Sequence, residues 1–336
     1  YGDHRDLHLS LRRQRQMCIR DRIKASIIGL GHLGSIHSKL LNDSKDFQVI
    51  GYHDSVIKDP NLINNCDYFE DVNLLILSSD VVFICTNTPN HFKYALMCLK
   101  KNKHVFIEKP ITSNLEDAKK LYELSREKNL KVQVGHVERF NSAYTCLNNE
   151  IKNPRFIECH RLAEFNPRGN DVSVVLDLMI HDIDIVLSNI KSNPKIINAN
   201  AVCVINDSPD ICNARVEFEN GEVANFTASR ISLKNMRKTR FFQNDAYISI
   251  DFLTKKTEIV KIRDHNSKNP YSMVIENSKG IKKEIFFENP KITESNAISE
   301  EHKSFADSIK NNKKPVVDAE DAYKTLKLAH EIIDKL

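Results

Sequence analysis

The stretch Ala25-Ser-Ile-Ile28 followed by Gly29-Leu-Gly31-His32-Leu33-Gly34 decides the fold. An apolar run of strand length meets a glycine-rich turn, and a helical pattern over His32–Leu41 follows it. Gly29 permits the tight turn, Gly31 lets backbone approach a pyrophosphate, and Gly34 lets helix pack on strand. A dinucleotide diphosphate is expected at the helix N-terminus, against His32 and Leu33, where free N–H groups and the dipole favour anions. Asp54 lies twenty residues beyond Gly34, at the end of the next strand. It is placed to accept hydrogen bonds from the adenosine ribose and to repel a 2′-phosphate, so NAD is expected in preference to NADP.

Outward from this motif, short apolar strands alternate with amphipathic helices. Strands are expected at Gln48–Tyr52, Val81–Cys85, His104–Ile107 and Lys131–Val134, and helices at Asn90–Lys100 and Leu115–Lys128. That rhythm predicts an α/β Rossmann domain, a doubly wound parallel sheet, over 23–142. Beyond Asn141 one helix is expected near Val174–Leu187. Strands then follow at Ile196–Ile205, Ala214–Phe218, Glu222–Ala228, Tyr247–Phe252 and Thr257–Ile262, with a hairpin turn at Glu219-Asn220-Gly221. Two helices near Ser295–Lys310 and Ala319–Lys335 close the chain. Residues 143–336 therefore read as an α+β domain with a largely antiparallel open sheet, for substrate binding and oligomerisation. Alternating apolar residues in Val202–Ile205, Val223–Thr227 and Tyr247–Phe252 suit a partner sheet, so a homodimer or homotetramer is expected.

The 336 residues are 41% hydrophobic and 28% charged, which excludes a disordered chain, a collagen-like repeat and a coiled coil. Apolar runs such as Val81–Cys85 are far too short to span a membrane. The formal charge of +4 is concentrated in residues 1–22, with six Arg, no Lys and three Asp, whereas the rest uses 33 Lys against 10 Arg. This leader reads as non-native or disordered. The remainder is almost neutral and gives no sign of a nucleic-acid partner. Eight scattered cysteines without C-x-x-C spacing fit a reducing cytoplasm. No metal site is expected, since the sequence His136-Val-Glu138 lacks the cysteine pair a zinc deaminase needs.

Three further segments carry chemistry. Asp80–His91 and Lys103–Pro110 each end a strand in polar residues at the carboxyl edge, where ligands bind in an open α/β sheet. Thr88-Pro89 fits a helix N-cap with proline behind it. Glu108-Lys109-Pro110 has no such explanation, because charges at the end of a buried strand are costly unless paired or in contact with ligand. In Asp177-Leu-Met-Ile-His181-Asp-Ile-Asp184, residues 177 and 181 lie one helical turn apart, with 184 a turn beyond. A carboxylate beside an imidazole raises its basicity, as a proton-abstracting base needs. Arg139, Arg161 and Arg168 suit phosphate or carboxylate recognition.

The glycine motif, Thr86-Asn87-Thr-Pro-Asn-His91, Lys103-His-Val-Phe-Ile-Glu-Lys-Pro110 and Asp177-x-x-x-His181-x-x-Asp184 together resemble the Gfo/Idh/MocA oxidoreductases over essentially all of residues 23–336. The resemblance implies an NAD(P)-dependent dehydrogenase acting on CH–OH groups. Lys109 would touch both the nicotinamide ribose and the reacting hydroxyl, His181 with Asp177 would be the base, and the Lys109–Pro110 bond would be cis. Thr86, Asn87, His91 and Glu108 would frame the cofactor; Arg139, Arg161, Arg168 and Asp184 would contact substrate. Val172-Ser-Val-Val-Leu176 departs from the glycine-rich run often found there. Gly135–Asn141 and Phe165–Arg168 resemble the branch acting on nucleotide sugars, UDP-N-acetylglucosamine 3-dehydrogenase-like proteins among them. Free sugars or inositols are the alternative substrates, and a non-catalytic NAD-binding sensor is the alternative class.

Overall fold

A computed structural model describes residues 22–56, 66–166, 172–265 and 273–336. The leader up to residue 21 and the expected substrate contact Arg168 lie outside the described residues. The chain folds as two compact units. One runs to Gly135 and takes back Ile298–Glu320; the other comprises His136–Ala297 and Asp321–Leu336.

The first unit is built on β1 (Ile23–Ile28), β2 (Phe47–His53), β3 (Asp67–Tyr68), β4 (Val81–Ile84), β5 (His104–Ile107) and β6 (Val132–Val134). Their order in the sheet is β3-β2-β1-β4-β5-β6, and every pairing is parallel. The order reverses between β1 and β4, which places a binding crevice outside their carboxyl ends. β4 is buried at all four positions, as a strand covered on both faces must be. The helices His32–Asn42, His91–Lys100 and Leu115–Glu127 match the expected periodicity. Asn114 caps the last of these by accepting a hydrogen bond from the Asp117 N–H. Thr88–Asn90 forms a separate 3₁₀ turn capped at Asn87, so Thr88 is not the N-cap. Residues 317–318 add to the far edge: the Val134 N–H donates to the Val317 carbonyl, and Gln133 bridges Asp318.

The second unit carries β7 (Phe156–Leu162), β8 (Pro194–Val202), β9 (Ile211–Phe218), β10 (Val223–Ser229), β11 (Met236–Phe242), β12 (Ala246–Asp251), β13 (Lys256–Asp264), β14 (Met273–Glu276) and β15 (Lys282–Glu288). They form one sheet in the order β14-β15-β13-β12-β11-β7-β10-β9-β8, antiparallel except between β7 and β10. The hairpin glycine Gly221 has φ of 84°, and its N–H donates to the Phe218 carbonyl.

Two expectations change here. The strand expected over Ile196–Ile205 ends at Val202, because the Asp210 carboxylate gathers the N–H groups of Val204, Ile205 and Asn206 into a loop. Part of the apolar alternation ascribed to a partner sheet is used within the unit, while Val202, Val204 and Ile205 stay exposed. Ala224, Phe226, Ile248 and Ile250 are buried in one core with Ile183, Val186 and Leu328 of the helices Ile180–Asn189 and Ala319–Ile333. The opposite face of these strands carries Val223, Asn225 and Thr227 with Tyr247 and Ser249, all half-buried.

Candidate active site

The glycine turn has the geometry its sequence called for. Gly29 sits at φ 94°, where a Cβ would lie 2.8 Å from the Cys85 carbonyl carbon. A Cβ on Gly34 would stand 2.0 Å from the Gly29 carbonyl oxygen, so helix and strand touch there. Gly31 differs: no atom lies within 4 Å of its hypothetical Cβ. The space it opens belongs to a cavity of about 310 Å³ lined by Gly29, Gly31, Asp54, Thr86, Asn87 and Tyr94. Asp54 is fixed by two backbone N–H groups, Leu30 at 2.6 Å and Val56 at 2.8 Å. A carboxylate, an open glycine and a helix N-terminus around one cavity fit a dinucleotide. His32 and Leu33 are exposed at the start of the helix. Asn87 accepts from the Asn90 side chain at 2.5 Å, and the Thr86 hydroxyl donates to the Asn87 carbonyl.

At the end of β5, Lys109 is part-exposed and its bond to Pro110 is cis. Its two expected companions face elsewhere. His91 is buried, with Nδ1 2.8 Å from the Pro110 carbonyl and Nε2 2.9 Å from that of Thr86. It clips the two strand-end loops together rather than framing a cofactor. Burial pushes its pKa down, against those two carbonyl contacts and the charge of Glu108. Glu108 also turns inward: Oε1 is 2.7 Å from His37 Nε2, and Oε2 accepts the Lys109 N–H at 3.1 Å. Burial pushes this carboxyl up, but its hydrogen bond and electrostatic interaction with His37, with the N–H and charge of Lys109, bring it below the usual 4.5.

In the second unit the expected helix over Val174–Leu187 starts with a π turn, Val175–Met179, before the α-helix Ile180–Asn189. The Ile180 N–H reaches back five residues to the Val175 carbonyl. Such turns widen a helix and recur at functional sites; this one presents Asp177. Asp177 and His181 are both part-exposed. His136, which the sequence left without a role, packs its ring edge-on to His181 at 6.2 Å. Only its place right after the last strand of the first sheet could have signalled that.

The arginines are committed to ion pairs. Arg161 is 3% exposed and binds Asp182 through Nε and Nη2, and Glu138 through Nη1 at 3.0 Å. Arg139 forks onto Asp184 at 2.6 and 3.1 Å, and Asp184 is fully buried. The geometry thus reassigns Arg139, Arg161 and Asp184 from substrate contacts to pairs that stitch β7 and its neighbours to the helix Ile180–Asn189. A buried guanidinium finds its nearest anion, and each lies on the helix carrying His181.

Among the described residues no His/Cys/Asp/Glu group is arranged to hold a metal, and no helix is long and apolar enough to cross a membrane. Residues 23–136 match the Gfo/Idh/MocA profile, described as an oxidoreductase family with an NAD-binding Rossmann fold. The chain is 34% identical over 241 residues to UDP-N-acetylglucosamine 3-dehydrogenase of Acidithiobacillus ferrooxidans, spanning 70% of this chain and 76% of that one. It is 31% identical over 181 residues to inositol 2-dehydrogenase of Salmonella typhimurium, spanning about half of each, 49% and 53%. A solved structure of the A. ferrooxidans enzyme superposes with a TM-score of 0.82 at 28% identity, covering 94% of this chain and 98% of the other.

Proposed function

We propose, for a chain that belongs to the Gfo/Idh/MocA oxidoreductase family, NAD-dependent oxidation of a secondary hydroxyl on a nucleotide sugar, UDP-N-acetylglucosamine foremost. The observation behind the chemistry is a division of burial. Lys109, Asp177 and His181 stay part-exposed, while Glu108, His91, Arg161 and Asp182 are buried in fixed contacts. The substrate class comes from the likeness to the A. ferrooxidans enzyme.

In this reading His181 takes the hydroxyl proton on a ring nitrogen, and Asp177, one turn earlier, orients the ring and raises its basicity. The Lys109 ammonium stabilises the alkoxide as it develops. NAD supplies the hydride acceptor when bound. Gly31 leaves room for its diphosphate, Gly29 and Gly34 let strand, turn and helix close up beneath it, and Asp54 receives the ribose hydroxyls. The same groups serve ketone reduction. A cytoplasmic homodimer or homotetramer belongs to this reading; a concentration-independent monomer in light scattering would remove the assembly.

The test is NADH absorbance with UDP-N-acetylglucosamine first, then free sugars and inositols. Turnover on the nucleotide sugar is expected, with kcat/KM for NAD exceeding that for NADP. Asp54→Ser should narrow that ratio about tenfold, the scale of one charge–phosphate repulsion of about 1.4 kcal/mol. NAD binding without turnover on any of these substrates would reject the enzymatic reading.

A further inference from the structure

Inside the first unit, two histidines and Glu108 form a continuous polar chain. His37, on the dinucleotide-cradle helix, points Nε2 at Glu108 Oε1, 2.7 Å away, and Nδ1 at His302 Nε2, 2.8 Å away. His302 lies on the helix Ala297–Lys310. Both histidines are 1% exposed. Their walls are aromatic: Phe106 stands 5.1 Å from the His37 ring, and Phe83 5.2 Å from that of His302. Polar groups in such surroundings are costly unless each finds its partner, so their arrangement is tightly specified.

Counting protons fixes that arrangement. Glu108 is an acceptor and already takes the Lys109 N–H on Oε2, so His37 Nε2 must carry its hydrogen toward Oε1. With a neutral His37, Nδ1 then accepts from His302 Nε2–H. His302 Nδ1, buried without a hydrogen-bond partner, is left bare. The reverse order would place an N–H there with no acceptor. Gly135 completes the seat, since a Cβ there would stand 3.0 Å from a Glu108 carboxylate oxygen.

We propose that His37 and His302 are positioning residues for the oxidation: His302 fixes the His37 tautomer, His37 holds Glu108 as a carboxylate, and Glu108 fixes Lys109 through its backbone N–H. This rests on the reading of Lys109 as an active-site ammonium. The other ionisable groups facing the chain are His91, Cys85 and Glu301. Burial keeps both His302 and the Cys85 thiol uncharged at neutral pH.

The experiment compares His37→Leu, His37→Gln, His302→Phe and Lys109→Met by pH profile of kcat, with NADH binding followed by its fluorescence. Leucine leaves a buried carboxylate with its strongest partner gone, so Glu108 becomes harder to ionise. Protonation of Glu108 should then add an acid limb of its own, distinct from that of His181, raised by about one pH unit or more over its wild-type position, lowering activity roughly tenfold below it and relieved at high pH. Glutamine can still donate to Glu108 and should retain the wild-type limb. His302→Phe should fall between them. A merely structural role would lower activity evenly across pH. If Lys109→Met loses turnover while His37→Leu keeps the wild-type profile, the relay is overturned and the reading of Lys109 stands. If Lys109→Met is fully active, that reading fails instead. A measurement independent of activity is the ¹⁵N-histidine spectrum, assigned by difference with His37→Gln and His302→Phe. The His302 ring should be neutral and protonated on Nε2 at pH 7; a proton on its Nδ1 would overturn the proton order.

Discussion

Replacing Lys109 with methionine is expected to lower turnover by about two to four orders of magnitude, the usual scale for losing an electrostatic or acid–base partner. NADH affinity and melting temperature should stay close to wild type, because Lys109 is part-exposed and the cradle is built by Gly29, Gly31 and Asp54. His181→Ala should lose activity on the same scale and also remove the acid limb of the pH–rate profile, since an imidazolium accepts no proton. If both residues were only structural, activity would instead follow the folded fraction. Steady-state kinetics beside thermal melts separates the two. Full activity in Lys109→Met on the best substrate would sink the mechanism, whatever the sugar.

The second large effect is on stability. Arg161→Met would strand the buried Asp182 and leave Glu138 with the longer pair to Arg237 at 3.7 Å and the Asn141 side-chain donor. Removing one partner of such a set costs about 3–5 kcal/mol, mostly for uncompensated buried charge. Urea unfolding at pH 7 should show a loss of that order, and a variant as stable as wild type would refute the account. The loss should shrink as pH falls, because protonation removes the stranded charge. Asp182 titrates high even in the wild type, since burial raises it against the pull of Arg161. Its folded form therefore takes up a proton more readily than the unfolded chain, and its share of stability grows as pH falls into the carboxylate range. Glu108 has the opposite sign. Its depressed pKa contributes stability above about 4.5 that is lost as pH falls through the lower, folded value.

Those two carboxylates also show what was legible in the sequence. The strands of the first sheet are continuous apolar runs because both their faces are covered, so they stand out residue by residue. β11, Met236-Arg-Lys-Thr-Arg-Phe-Phe242, was invisible by the same test. Only Thr239 and Phe241 face the core, and its basic residues hide the period. The local settings of the proposed residues were legible too: Lys109 follows a strand end, and Asp177 and His181 lie four residues apart in a helical stretch. The direction of a buried side chain was not. Glu108 turns toward His37 and His302, partners 71 and 194 positions away, and Arg161 toward Glu138 and Asp182. No local pattern encodes such a meeting. The π turn at Val175–Met179 likewise arises in a stretch whose composition reads as an ordinary helix.

The return of Ile298–Glu320 to the first unit bears on how the protein is made. Phe305 and Ala306 share a core cluster with Phe47, Phe83 and Phe106, and His302 ends the polar chain behind Glu108. A ribosome must therefore make the intervening residues 136–297 before the first unit can close its hydrophobic centre. Until then Phe83 and Phe106 lack one wall, and the nascent chain carries an open, aggregation-prone surface while the second unit is being made. The core of this unit cannot be completed by its N-terminal segment alone. A fragment ending at Gly135 would hold the entire glycine motif and still lack a finished core.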